Sequence, residues 1–190
     1  TTVATVFAVV KTVLGTGIPN TGGCLRPVTV TAPEGCFVNP LSPAPVGSPG
    51  VAYLRMSHAL YGAFAQMLPD RIFACAGGCE FLVTFAGYST NKVPRHAWVL
   101  VDVFNDEAVG GYPYEDGKDA AHSPLVNGTN VPAEILEVEQ PLMIEEWGLL
   151  PDTEGAGKFR GGVGMVRQFR VLQDETLTQV RSDRRKRTPY

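Results

Sequence analysis

Glycine and proline cut this chain into short lengths. It holds 21 glycines and 15 prolines among 190 residues, and they fall between periodic hydrophobic segments instead of forming a low-complexity tract. An ordered, loop-rich fold of short elements is therefore expected. In the first segment Val3, Val6, Phe7, Val10 and Leu14 recur at helical spacing until Gly15 and Gly17 precede Pro19, which predicts an opening helix. Val28, Val30 and Ala32 then alternate with Thr29 and Thr31 and stop at Pro33-Glu34-Gly35, the pattern of a half-buried strand. After an irregular connection over Asn39–Pro49, Ser48 and Pro49 supply a cap and first turn for a second helix that runs to about Leu68, before Pro69. Its inward stripe would be Leu54, His58, Tyr61, Ala65 and Leu68, which makes His58 a core histidine and not a ligand.

Beyond Pro69 the pattern turns to strands. Ile72–Ala76, Phe81–Ala86 and Ala97–Phe104 are apolar and β-prone. Pro132 and Glu134 open a short helix that Pro141 closes. Leu142–Leu150, Met165–Leu172 and Leu177–Val180 complete a β-rich end. The expected architecture is α+β, a single domain over residues 1–190, with a mostly antiparallel sheet, a few helices and long Gly/Pro-rich loops. One of those loops, Asn105–Thr129, is too long for an idle connection and is expected to be functional or interfacial.

Charge and composition exclude several classes. Net charge is −3, so no global field attracts nucleic acid. No apolar run reaches the roughly 20 residues of a membrane span. The basic run Arg181–Arg187 lacks interleaved aromatic residues and reads as a charged, frayed end. Charged residues make up only 18% of the chain, against a usual share of about 25%, which points to buried subunit interfaces. Four cysteines suit a reducing compartment, and a cytoplasmic location is the expectation. Cys24, Cys36, Cys75 and Cys79 do not have zinc-knuckle spacing and are expected as buried, reduced thiols. The chain opens on Thr1 without Met, the mark of a processed or excerpted sequence. An N-terminal Thr nucleophile is a further reading, disfavoured because Thr1 leads straight into an amphipathic helix.

Gly155–Gly164 invites comparison with nucleotide-binding loops and departs from both types. Neither Pro151 nor Asp152 supplies the leading glycine of a phosphate loop, and Phe159 follows Lys158 where Ser or Thr is needed. Arg160 stands where a dinucleotide fingerprint has its third glycine. A tight bend leading into a strand is the better reading. In the long loop, Asp116, Asp119 and His122 lie within seven residues, close enough to furnish a general base or metal ligands if the loop folds over a pocket. Asn127, Thr129 and Asn130 follow and either satisfy loop backbone or bind a polar substrate.

An ordered series of blocks carries a resemblance. Ile18-Pro19-Asn20, Gly23-Cys24-Leu25-Arg26-Pro27, Ala32-Pro33-Glu34-Gly35 and Asn39-Pro40 come first. Gly110-Gly111, Asp116-Gly117, His122, Asn127, Thr129-Asn130, Pro132 and Glu134–Glu137 follow, then Gly155–Gly164, Asp183-Arg184-Arg185 and Pro189. Taken together, over nearly the whole chain, they resemble the hydantoinase B family, specifically the C-terminal half of its B-type subunit.

The resemblance implies part of an ATP-dependent cyclic amide hydrolase of hydantoinase or 5-oxoprolinase type. Related ketone carboxylases, for acetone and acetophenone, are the alternative. It implies a hydantoinase A-like partner that carries ATP with Mg, and a further partner in the remaining N-terminal part of the B-type polypeptide. A divalent metal would belong to that N-terminal part, and no metal is assigned here. The expected assembly is a hetero-oligomer acting on a small cyclic amide or ketone, with the isolated chain inactive. Within this chain Asp119 and His122 are the catalytic candidates, and Asn127, Asn130 and Arg160 the substrate-binding ones. A non-catalytic structural subunit, and the self-processed Thr1 hydrolase, are the readings from other classes.

Overall fold

The computed structural model of the chain describes every residue except 16, 48, 79–81, 91–92, 104–107, 124, 127, 183–185 and 187–190, and of residue 103 the backbone alone. The opening helix α1 (Thr2–Leu14) buries Thr5, Val9 and Val13, one residue per turn. A single 3-10 turn over Gly22–Leu25 follows, and then α2 (Pro49–Met67), which buries Leu54, Ser57, His58 and Tyr61. Val9, Val13, Tyr61 and Ile72 form the helical core, with Leu60, Phe64, Leu68, Phe73 and Leu125 packed around it. One polar contact fixes the register of the two helices. The Thr12 hydroxyl donates to the Val9 carbonyl at 2.8 Å, so it receives the Tyr61 hydroxyl proton across a further 2.8 Å.

Five strands form two antiparallel sheets among the described residues. They are β1 (Leu82–Tyr88), β2 (Ala97–Val103), β3 (Leu142–Leu149), β4 (Met165–Val171) and β5 (Leu177–Arg181), with α3 (Ala133–Glu139) between β2 and β3. One sheet has the order β2-β1-β5 and the other is the β3-β4 pair. The sheets meet at Phe85 and Phe169, whose ring centroids are 5.2 Å apart. Beside them Arg167 Nη1 bonds Asp102 Oδ2 at 2.7 Å, both side chains being 4% exposed. The Arg167 guanidinium lies 3.9 Å from the Trp147 ring centroid, so an aromatic face shares the task of holding a buried cation. α3 is tied to β3 by Ile144 N–H donating to Glu137 Oε1 at 2.7 Å, over the buried Leu136 and Leu142.

The α+β class and antiparallel strands agree with the sequence. Two expected strands do not form. Val28–Ala32 keeps its alternation of burial but has no partner strand among the described residues; its end is held by Asn39 Nδ2 donating to the Ala32 carbonyl at 3.0 Å. Ile72–Ala76 runs beside the long loop and makes isolated bonds to it in place of a ladder, such as Ala74 N–H to Gly111 O at 2.8 Å. Alternation marks which side faces inward; a strand also needs a neighbour. The thiols of Cys24, Cys36 and Cys75 are only partly buried, contrary to expectation, because they sit on turns and loop edges. Cys79 lies outside the described residues.

Candidate functional site

Three stretches of backbone meet at glycines to build a loop layer. Val109 N–H donates to Lys118 O at 3.1 Å, Gly162 N–H to Val109 O at 2.8 Å, and Gly117 N–H to Arg160 O at 2.7 Å. Such close approach needs residues without a Cβ. A methyl group at Gly117 would overlap the Val109 carbonyl oxygen, and one at Gly162 would overlap that of Lys118. Within Gly155–Gly164 it is Gly162 that this packing of backbone on backbone requires.

The same bonds decide whether this loop cradles phosphate. Arg160 N–H donates to Asp116 Oδ1 at 2.9 Å, Val163 N–H to Asp119 Oδ1 at 2.8 Å, and Gly164 N–H to Thr153 Oγ1 at 2.9 Å. Gly161 and Gly162 donate to Gly155 and Val109 carbonyls. Successive amides from Arg160 to Gly164 are all engaged within the protein, so these amides are not free to cradle a phosphate. It leads directly into β4, the tight bend expected from its sequence.

An ionic cluster locks the layer. Arg160 Nη1 reaches Asp119 Oδ1 at 2.8 Å and Nη2 reaches Oδ2 at 3.3 Å, a two-point guanidinium–carboxylate pair. Asp116 adds the backbone contact to Arg160 and an ion pair to its Nε at 3.8 Å. The Arg160 guanidinium, followed by the Val163 amide, holds the Asp119 carboxyl below its ordinary range. Asp119 thus stays ionised at neutral pH and is a weak proton acceptor, while its charge orients Arg160 at a surface open to solvent.

His122, also on the long loop, is half-buried, and its Nδ1 accepts the Ser123 backbone N–H at 3.0 Å. Burial lowers its pKa from the usual 6.5. With Nδ1 engaged as an acceptor, the neutral ring carries its proton on Nε2 and presents a donor there. Asn130 is half-buried on the segment that leads to α3, and Asn127 lies outside the described residues. The structure therefore joins two of the expected residues directly, Asp119 with Arg160, 41 positions apart. Among the described residues no group of three His, Cys, Asp or Glu side chains is placed to hold a metal.

Sequence reasoning missed a cavity of about 340 Å³ on another side of the same loop, lined by His58, Tyr61, Phe73, Cys75 and Tyr112 among others. Only the placement of His58 on the α2 stripe hinted at it. It also missed the buried Asp102–Arg167 pair, whose members lie 65 residues apart on β2 and β4.

The family model for hydantoinase B/oxoprolinase matches residues 1–190. The B-type component of a putative D-/L-hydantoinase from Pseudomonas sp. strain NS671 is 31% identical over 95% of this chain and 29% of its own length. The beta component of the caprolactamase from Pseudomonas jessenii is 30% identical over 82% of this chain and 27% of its own length. This chain thus spans less than a third of these relatives. The nucleotide-free structure of acetone carboxylase shares the fold, with a TM-score of 0.60 and 19% identity over 77% of this chain and 20% of that one.

Proposed function

The chain belongs to the hydantoinase B/oxoprolinase family, and from that premise we propose that it is one portion of a B-type subunit in an ATP-dependent cyclic amide hydrolase. ATP and Mg sit on a hydantoinase A-like partner in this reading, in keeping with a glycine loop whose amides from Arg160 to Gly164 are engaged within the protein. Any divalent metal belongs to the rest of the B-type polypeptide.

The observation that carries this chain's part is the Asp116–Asp119–Arg160 cluster, solvent-accessible and mounted on a layer that glycines hold rigid. Asp119 positions the Arg160 guanidinium, which binds an anionic or carbonyl oxygen of the substrate. His122 offers its Nε2 proton as a second donor, and Asn130 extends the polar wall. A preorganised pair of donors polarises an amide carbonyl before water attacks it. The assembly is cytoplasmic.

The partner docks on the outer face of the β2-β1-β5 sheet. Register places Leu177, Ala86 and Val99 in one cross-strand row. Tyr88, Val99, Val101 and Leu177 are all exposed on that face. A contiguous apolar face of this kind marks an interaction surface.

A second reading, a non-catalytic structural role, draws on the same cluster, because Asp119 and Arg160 satisfy each other. Co-expression with a hydantoinase A-like protein and the rest of the B-type polypeptide separates the two. Assays with hydantoin, 5-oxoproline and caprolactam, each with and without ATP, should show turnover that His122→Ala and Arg160→Met both lower while the complex stays assembled. Wild-type turnover from both variants would establish the structural role.

A further inference from the structure

The cavity beside the long loop has the features of a built site. It lies between the second half of α2, where Gly62 and Ala65 face it, and the segments around Phe73–Cys75 and Gly111–Tyr112. Its volume of about 340 Å³ falls at the small end of the range of ligand pockets, roughly 300–1,000 Å³. It adjoins the helical core, in which Val9 is 0% and Ile72 7% exposed. A glycine inside a helix sacrifices helical stability, and at position 62 its effect is to leave this space open.

The walls define what fits. Tyr61, Phe73 and Tyr112 form a run of tilted aromatic rings, with centroids 5.0 and 5.6 Å apart. Such a wall favours a flat partner. Among the described residues no Asp, Glu, Lys or Arg lines the cavity, and Lys118, whose Nζ lies 5.9 Å from the Tyr112 ring centroid, is already paired with Glu115 at 3.2 Å, which disfavours an ionic ligand. Polar side chains also line the space. Tyr61, whose proton is given to Thr12, keeps lone pairs to accept a hydrogen bond, and His58 and Cys75 are also among the lining residues.

We propose that this cavity binds an uncharged, flat, ring-sized molecule with hydrogen-bonding groups on its edge. The site requires neither the partner protein nor the reaction proposed above. Because Tyr112 and Asp119 belong to one loop, an occupant also touches the segment that carries the ionic cluster.

The test uses the 190-residue chain with indole and 2-pyridone as probes and benzoate as a charged control of similar size. Amide chemical shifts of Gly62, Ala74 and Gly111 should move with the two neutral probes at millimolar concentration and not with benzoate. Ala65→Phe, which fills the space, should weaken binding by at least about tenfold without lowering the melting temperature. Iodoacetamide labelling, resolved by peptide mapping, gives a readout that no variant affects: indole should slow labelling of Cys75 and leave Cys24 and Cys36 unchanged. Absence of shifts in the wild type, equal response to benzoate, unchanged binding by a folded Ala65→Phe, or no protection of Cys75 would overturn the proposal.

Discussion

At the scale of single residues, the structure depends on two charged pairs in opposite settings. Asp102 and Arg167 are buried, and burial raises the Asp102 pKa against the opposing pull of Arg167. Removing one partner leaves the other charge in the interior. Asp102→Ala should cost about 3–5 kcal/mol in urea unfolding, whereas replacing both partners with leucine should recover most of that loss. An unchanged midpoint for Asp102→Ala would show that the pair is dispensable. Asp119 and Arg160 are exposed, so their contribution is orientation of the loop. Gly162→Ala tests the layer itself: its methyl would overlap the Lys118 carbonyl, and destabilisation of about 1–3 kcal/mol is expected, with faster amide exchange at Gly117 and Ala120. His122 supplies the pH dependence. Its folded pKa lies below 6.5, so the unfolded chain takes up the proton first as pH falls. Stability from the neutral ring is complete above about pH 6.5 and is lost as pH drops from there to the folded pKa. Melting temperature should accordingly fall less between pH 7 and 5 in His122→Gln than in wild type; equal slopes would contradict the assignment.

At the scale of elements, local periodicity revealed the three helices and the five strands of the described residues, including β5, whose partner β1 is remote in sequence. It failed where an apolar or alternating run has no strand to pair with among those residues. Val28–Ala32 has a strand's alternation and, among the described residues, no strand beside it, and Ile72–Ala76 meets a loop where a ladder was expected. The site was legible to the same degree. Asp116, Asp119 and His122 stand out because they cluster in sequence, but the pairing of Asp119 with Arg160 depends on closing 41 residues of chain, which no local pattern encodes. The cavity was invisible for the same reason, since its walls come from α2, the segment after it and the long loop. The outer face of the β2-β1-β5 sheet leads to a prediction at this scale. Val99→Lys with Val101→Lys should leave the chain's own stability within about 0.5 kcal/mol of wild type, as exposed substitutions do. In co-purification the same pair should sharply reduce recovery of the hydantoinase A-like partner. Full recovery would place the interface elsewhere.

At the scale of the whole molecule, composition and architecture point the same way. In the proposed reading, a chain with 18% charged residues and an exposed apolar sheet face is suited to work inside a larger assembly. Under the proposed function, membership of the hydantoinase B/oxoprolinase family points to the kind of assembly. In the proposed reading, the glycine layer and its ionic lock are what this chain brings to it: a wall whose Arg160 is open to solvent on a loop with its amides from Arg160 to Gly164 already engaged. The most direct test is ATP-dependent ring opening of hydantoin, 5-oxoproline and caprolactam by the reconstituted complex, measured with the wild-type chain, with Arg160→Met, and with the chain omitted. The account predicts turnover of at least one of these substrates only when the chain is present, and a marked fall with Arg160→Met in a complex of unchanged mass. Equal turnover without the chain, or wild-type turnover from Arg160→Met, would contradict it.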